Sequence, residues 1–337
     1  MSPATRTAFE LHDVPGILRS RVGRLRPGGD VLRILFVFGL MVPAILVGCG
    51  AEADPRSSEA PDAVADLPED RRVALITGST SGLGEEVARR LAADGMHVIV
   101  HGRSEERGMA LAREIQDSGV GSASFHAADL ASLEQVRELA RMVLSEYDRL
   151  NLLVNNAGIG SARDGREESE DGYELVFQVN YLSHFLLTDL LKPRLVESAP
   201  ARIVNVASAA QSPIDFDDVM LEEEGAIGRA YGQSKLAQIL HAFDLAKELE
   251  GTGVIVSALH PATFMDTGMV RRAGVEPRAT VDEGADAVMQ LLTESIESGQ
   301  YFNGLEPATA NDQAYDEGAR DRLRELSREL VGLPPGG

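Results

Sequence analysis

Val73-Ala74-Leu75-Ile76-Thr77-Gly78-Ser79-Thr80-Ser81-Gly82-Leu83-Gly84 is an uncharged apolar run that ends in a glycine-rich turn, and Glu85 to Asp94 follows with helical periodicity. A strand leading through glycines into a helix is the opening of a βαβ unit. Glycines spaced by four and then two allow a sharp turn and bring backbone N–H groups to the helix N-terminus, where the dipole favours an anion such as a pyrophosphate. Taken alone, such a turn fits an ordinary βα loop. With a strand before it and a helix after it, Gly78, Ser79, Ser81, Gly82, Leu83 and Gly84 become candidate cofactor-binding residues.

Outward from this turn the same rhythm repeats. Strands are expected at Val73–Thr77, His97–His101, Ala123–Ala127, Leu152–Asn155, Arg202–Val206, Val254–Leu259 and Gln300–Phe302, with helical patterns such as Leu133–Tyr147, Tyr173–Leu191 and Tyr231–Glu250 between them. Strands with almost no polar position belong to a parallel sheet covered on both faces. Right-handed crossovers then predict an α/β, doubly wound Rossmann-type sheet in the order 3-2-1-4-5-6-7, its ligand crevice at the carboxyl ends of the strands.

With 44% apolar residues, 33 glycines and no tryptophan, the 337-residue chain has material for a large core with many tight turns. Its net charge of −21 argues against a nucleic-acid partner, which needs clustered cations, and reads as a solvated surface. The seven histidines lack ligand spacing, and the single cysteine, Cys49, excludes an internal disulfide, so no metal site is expected.

Cys49 ends the uncharged run Ile34 to Gly48. As a helix that run reaches about 22 Å, short of the roughly 30 Å of a hydrocarbon core and typical of a signal-peptide apolar region. Leu46-Val47-Gly48-Cys49 resembles the lipobox of bacterial lipoproteins, a family in which the cysteine carries lipid; an uncleaved N-terminal anchor is the plainer alternative. Val31 as an alternative start would give the usual length of signal segment. Residues 50–70 are rich in Ala, Pro, Ser, Asp and Glu and read as a disordered tether. Three parts are therefore expected: a leader over 1–49, a linker over 50–70 and one catalytic domain over 71–333. Arg19, Arg21, Arg24, Arg26 and Arg33 before the run and Glu52 and Asp54 after it favour an outward-facing, membrane-anchored domain; no twin-arginine pair precedes the run, and a cytoplasmic reductase is the alternative.

After the second strand, where a dinucleotide fold selective for a free ribose 2′-hydroxyl places Asp or Glu, stand Gly102 and Arg103. A cation there suits a 2′-phosphate, so NADP(H) is expected in preference to NAD(H); a plain surface arginine is the competing reading. Tyr231-Gly232-Gln233-Ser234-Lys235 puts a phenol and an ammonium on one helix face, and only three lysines occur in the chain. Chance would produce a Tyr and Lys at this spacing about 0.05 times. The ammonium should lower the tyrosine pKa toward the working range of an acid/base. Ser208 closes the fifth strand, where its hydroxyl can meet a substrate oxygen or merely cap a turn. Asn180 is polar in a largely apolar helix, which a buried amide satisfied by backbone would also explain.

Together, Thr77-Gly78 to Gly84, Asn155-Asn156-Ala157-Gly158, Ser208 and Tyr231-Lys235 resemble the short-chain dehydrogenase/reductase family from Arg72 to Leu333. Val179-Asn180-Tyr181-Leu182-Ser183-His184-Phe185 and the spacing from Ser208 to Tyr231 look like its retinol dehydrogenase and protochlorophyllide reductase branch. The resemblance implies hydride transfer between NADP(H) and a carbonyl or alcohol, with Ser208, Tyr231, Lys235 and Asn180 catalytic. Asp129 and Leu130 would meet the adenine; Asn156, Ala157 and Gly158 would flank the ribose; Asn180 would hold a water that links the lysine to solvent. The family's PGxxxT becomes Pro261-Ala262-Thr263-Phe264-Met265-Asp266-Thr267, with the threonine one place late. Pro261 and Thr263 are expected at the cofactor, and the residue that would hold the nicotinamide amide stays open. A tethered dinucleotide-binding redox sensor without turnover is the alternative function. A lipophilic substrate follows by analogy from a membrane tether, and homo-oligomerisation stays open.

Overall fold

The computed structural model describes residues 67–335 apart from 69, 161–164 and 224. The leader, Cys49 and residues 50–66 lie outside the described residues. Seven parallel strands form the sheet: β1 (Val73–Ile76), β2 (His97–Gly102), β3 (Ser122–Ala127), β4 (Leu152–Asn155), β5 (Ala201–Val206), β6 (Val254–His260) and β7 (Gln300–Asn303). Their order is 3-2-1-4-5-6-7, as the sequence predicts, and the two-residue β8 (Glu306–Pro307) adds an antiparallel edge. Between the strands run α1 (Gly82–Ala93), α2 (Glu105–Ser118), α3 (Leu133–Glu146), α4 (Leu175–Phe177), α5 (Ser183–Glu197), α6 (Ala230–Glu248), α7 (Gly268–Arg272) and α8 (Val281–Thr293), with α9 (Glu317–Leu330) after the sheet.

The two-residue period of a strand sends neighbours to opposite faces. Leu75, Ile99, Leu153, Ile203 and Val256 pack with side chains of α3, α5, α6 and α9. Their neighbours Ala74, Ile76, Val98, Val100, Val154 and Val204 pack with α1, α2 and α8. That two-sided burial is why the strands carry so few polar residues. Among the described residues no helix is long and apolar enough to cross a membrane.

The helix expected over Tyr173–Leu191 differs in two ways. A π turn, Gln178–Leu182, separates α4 from α5, and α5 continues through Pro193 to Glu197. Proline costs the helix its own N–H bond and crowds the carbonyl four residues earlier, and burial of Leu191 and Leu195 on the core face carries the chain past it. The last helix, α9, is fastened over this face: Tyr181 Oη lies 2.7 Å from Ser327 Oγ, and Arg324 holds both Asp244 carboxylate oxygens at 2.6 and 2.8 Å.

Candidate active site

The glycine-rich turn is shaped by side chains behind it. The Thr77 hydroxyl oxygen accepts the N–H groups of Asn156 and Ala157 at 2.9 and 3.0 Å, while Asn156 Nδ2 donates to the Thr77 carbonyl at 2.8 Å. These bonds join the end of β1 to the Asn155–Gly158 loop after β4. Gly78 has φ +66°, and a Cβ there would lie 2.8 Å from Ala157 Cα. A Cβ on Gly84 would lie 2.5 Å from Asn156 Nδ2. Glycine is required at both places by close approach, and at Gly78 also by the left-handed backbone. Ser81 precedes α1 without a side-chain cap, so N–H groups of the first turn face the cleft. Such a cradle fits a dinucleotide pyrophosphate.

Behind the turn, Gly78 N–H donates to His101 Nδ1 at 3.1 Å, and the His101 N–H donates to Ser79 Oγ at 3.0 Å. Ser79 Oγ itself donates to the Ile76 carbonyl, so its side chain is spent on the fold rather than pointed at a ligand. Burial brings His101 down to about 4, which keeps it a neutral acceptor. Leu83 is buried in the core beneath α1. At the far end of the cleft Arg103 is 71% exposed and its Nη1 lies 3.5 Å from Asp129 Oδ2, so two residues singled out independently share one corner. The Leu130 carbonyl is taken by Ser183 Oγ at 2.5 Å.

Ser208, Tyr231, Lys235 and Asn180 converge beyond the carboxyl ends of β4 and β5. Tyr231 and Ser208 are hydrogen-bonded, and Lys235 Nζ lies 5.6 Å from the Tyr231 ring centroid. The ammonium donates to the Val206 carbonyl and to Gln238 Oε1, each at 2.9 Å. Asn180 Oδ1 accepts the Ile159 N–H at 2.8 Å; Asn180 Nδ2 donates to the Ile159 carbonyl and to Ser234 Oγ at 3.0 Å. Its amide is thus satisfied by protein, and its backbone carbonyl lies 2.8 Å from His184 Nδ1. Tyr301 Oη and Gln211 Nε2 both donate to the Ser208 carbonyl at 3.1 Å.

One expectation is reversed. Burial raises the Tyr231 pKa, the bond with Ser208 opposing it only in part, and burial lowers Lys235 to about 7. Desolvation is the dominant influence on both groups. The lysine therefore responds to pH near neutrality.

The segment after β6 holds the residues between which the sequence reading stays open. Thr263 is exposed and its Oγ1 lies 3.0 Å from His260 Nε2, while Pro261 is buried. Thr267 is the threonine beside the glycine turn, its Cγ2 3.4 Å from the position of a Gly82 Cβ, and its hydroxyl caps α7. The late threonine in the motif was the available signal. Thr77, His101, His184 and Gln238 were not singled out either, because a pattern shows spacing and not who bonds to whom.

Residues 72–277 match the short chain dehydrogenase family. The chain is 40% identical to dehydrogenase/reductase SDR family member 13 of Bos taurus over 79% of its own length and 74% of that protein's. It is 35% identical to retinol dehydrogenase 13 of Homo sapiens, covering 78% of this chain and 85% of the relative. Among solved structures, an uncharacterized protein from Mycobacterium paratuberculosis superposes with a TM-score of 0.67 at 30% identity, covering 81% of this chain and 98% of the other. The Pseudomonas aeruginosa RhlG/NADP active-site complex does so with a TM-score of 0.56 at 30% identity, covering 69% and 94%. The chain belongs to the short-chain dehydrogenase/reductase family. It is an oxidoreductase of CH–OH and C=O groups that works with NAD(P).

Proposed function

We propose that this enzyme moves hydride between NADP(H) and a lipophilic alcohol or carbonyl compound, with Tyr231 as the acid/base. The observation that carries this reading is the Tyr231 phenol bonded to Ser208 and backed by the buried Lys235 ammonium. The bound dinucleotide supplies or accepts the hydride at the carbonyl carbon. In the reducing direction Tyr231 Oη donates its proton to the carbonyl oxygen as that oxygen gains negative charge. Ser208 Oγ donates a hydrogen bond to the same oxygen and fixes its place. Lys235, titrating near 7, returns a proton toward the tyrosinate, and the Asn180 carbonyl gives a water its place on the route to solvent. In the oxidising direction each proton moves the other way.

Two features support the choice of cofactor and substrate class. Arg103, exposed just after β2 and following Gly102 where a carboxylate would select a free 2′-hydroxyl, suits a 2′-phosphate, and a solved relative at 30% identity is an NADP complex. Around Tyr231, the partly buried Ile159 and Ile227 pack on Val176, Leu221, Ala226 and Ala230, which gives the substrate an apolar wall. Relatives named retinol dehydrogenase point to the same class. Tethering through a lipid on Cys49 belongs to this proposal. The deciding experiment is NADPH oxidation by the wild type and Tyr231→Phe across aldehydes, ketones and quinones. Tyr231→Phe should bind NADPH normally and lose at least about 99% of turnover, a general-acid contribution of about two orders of magnitude; near wild-type turnover would overturn the mechanism.

A further inference from the structure

His184 has no part in the proton chemistry above, yet it is buried at the junction of the cofactor cradle and the π turn. Its Nδ1 lies 2.8 Å from the Asn180 backbone carbonyl and its Nε2 lies 2.9 Å from Thr77 Oγ1. A carbonyl has only lone pairs to offer, so Nδ1 carries the proton. Burial, with Lys235, His101 and His241 as the charged or titratable neighbours, brings the imidazole to about 3, so Nε2 stays an acceptor. The Thr77 hydroxyl then donates to Nε2. Both oxygen lone pairs are thereby turned toward the N–H groups of Asn156 and Ala157. Without His184 that proton turns to the Val154 carbonyl, a longer bond at 3.3 Å.

From this arrangement we infer that His184 is a positioning residue that couples the two halves of the site. One ring nitrogen fixes the hydroxyl that joins the glycine-rich turn to the Asn155–Gly158 loop; the other fixes the carbonyl of Asn180, whose side chain bonds Ser234 and Ile159. Valine or leucine would fill the same volume in this apolar helix. Neither could donate to the Asn180 carbonyl within the π turn or accept from the Thr77 hydroxyl. The Asn180 half rests on the catalytic reading proposed above, whereas the Thr77 half rests on the cradle alone.

The two bonds can be tested separately, because asparagine places an amide where Nδ1 lies and glutamine places one where Nε2 lies. His184→Asn should keep the bond to Asn180 and lose the one to Thr77: NADPH affinity, read by fluorescence titration, falls about 5- to 10-fold while kcat with nonanal stays within about twofold. His184→Gln should show the opposite split, with NADPH affinity within about twofold and kcat lower by about 5- to 10-fold. A melting curve accompanies each variant. Both variants within about twofold of wild type in both measurements, or both losing affinity and kcat together in step with a fall in Tm, would overturn the inference. If the wild type fails to turn over nonanal, the proposed function is in question while the affinity difference between the two variants still decides the Thr77 half.

Discussion

Lys235→Met isolates the cost of burying an ammonium beside the catalytic tyrosine. A lysine ordinarily titrates near 10.5, and burial brings Lys235 to about 7. Between those values the unfolded chain binds a proton that the folded protein does not, so wild-type stability rises with pH through this window. Below pH 7 the full penalty applies, and above 10.5 it has vanished. Linkage over this interval gives about 3 kcal/mol of stability gained between pH 6 and pH 9.5 from this one group. Methionine fills a similar volume without titrating. It also strips the Val206 carbonyl and Gln238 Oε1 of their donor, a loss of about 1–3 kcal/mol that does not depend on pH. The variant should therefore be relatively more stable than wild type at pH 6 and less stable at pH 9.5. Urea unfolding of the cofactor-free proteins at several pH values between these limits measures the difference, in which the other titrating groups cancel. A stability difference that stays constant with pH within about 0.5 kcal/mol would show that the lysine is not desolvated as argued.

Arg103→Ala should weaken NADPH binding about 10- to 100-fold and NADH binding little, since one charge-assisted bond to the 2′-phosphate is lost; equal losses in titrations of the two cofactors would make Arg103 a surface residue. Gly78→Ala must place a Cβ 2.8 Å from Ala157 Cα on a backbone at φ +66°, and should cost about 2–4 kcal/mol in urea unfolding together with most of the NADPH affinity. Arg324→Ala removes the two bonds to Asp244 and should lower stability by about 1 kcal/mol, seen as a Tm drop of about 2–4 °C, without changing NADPH affinity. Mass spectrometry of native protein should find lipid on Cys49, and protease added to intact spheroplasts should digest the domain; an unmodified Cys49 with full protection would point to a cytoplasm-facing reductase.

Local periodicity was enough to order the seven parallel strands, because two-sided burial forces near-continuous apolar runs and crossover handedness leaves few ways to connect them. Spacing was enough to bring Tyr231 and Lys235 together on one helix, and a strand end was enough to place Ser208 near them. What depends on three-dimensional neighbours was decided only by the tertiary structure. Thr267, four residues beyond Thr263, lies beside the glycine turn, and the chain between them passes through a left-handed Phe264 backbone at φ +50°. The π turn over Gln178–Leu182, with the Asn180 carbonyl facing His184 Nδ1, is a pairing that no side-chain pattern records. Tyr231 and Lys235 move in pKa opposite to the pairwise expectation because charge attraction is legible from sequence separation, whereas desolvation is a property of everything that surrounds the pair.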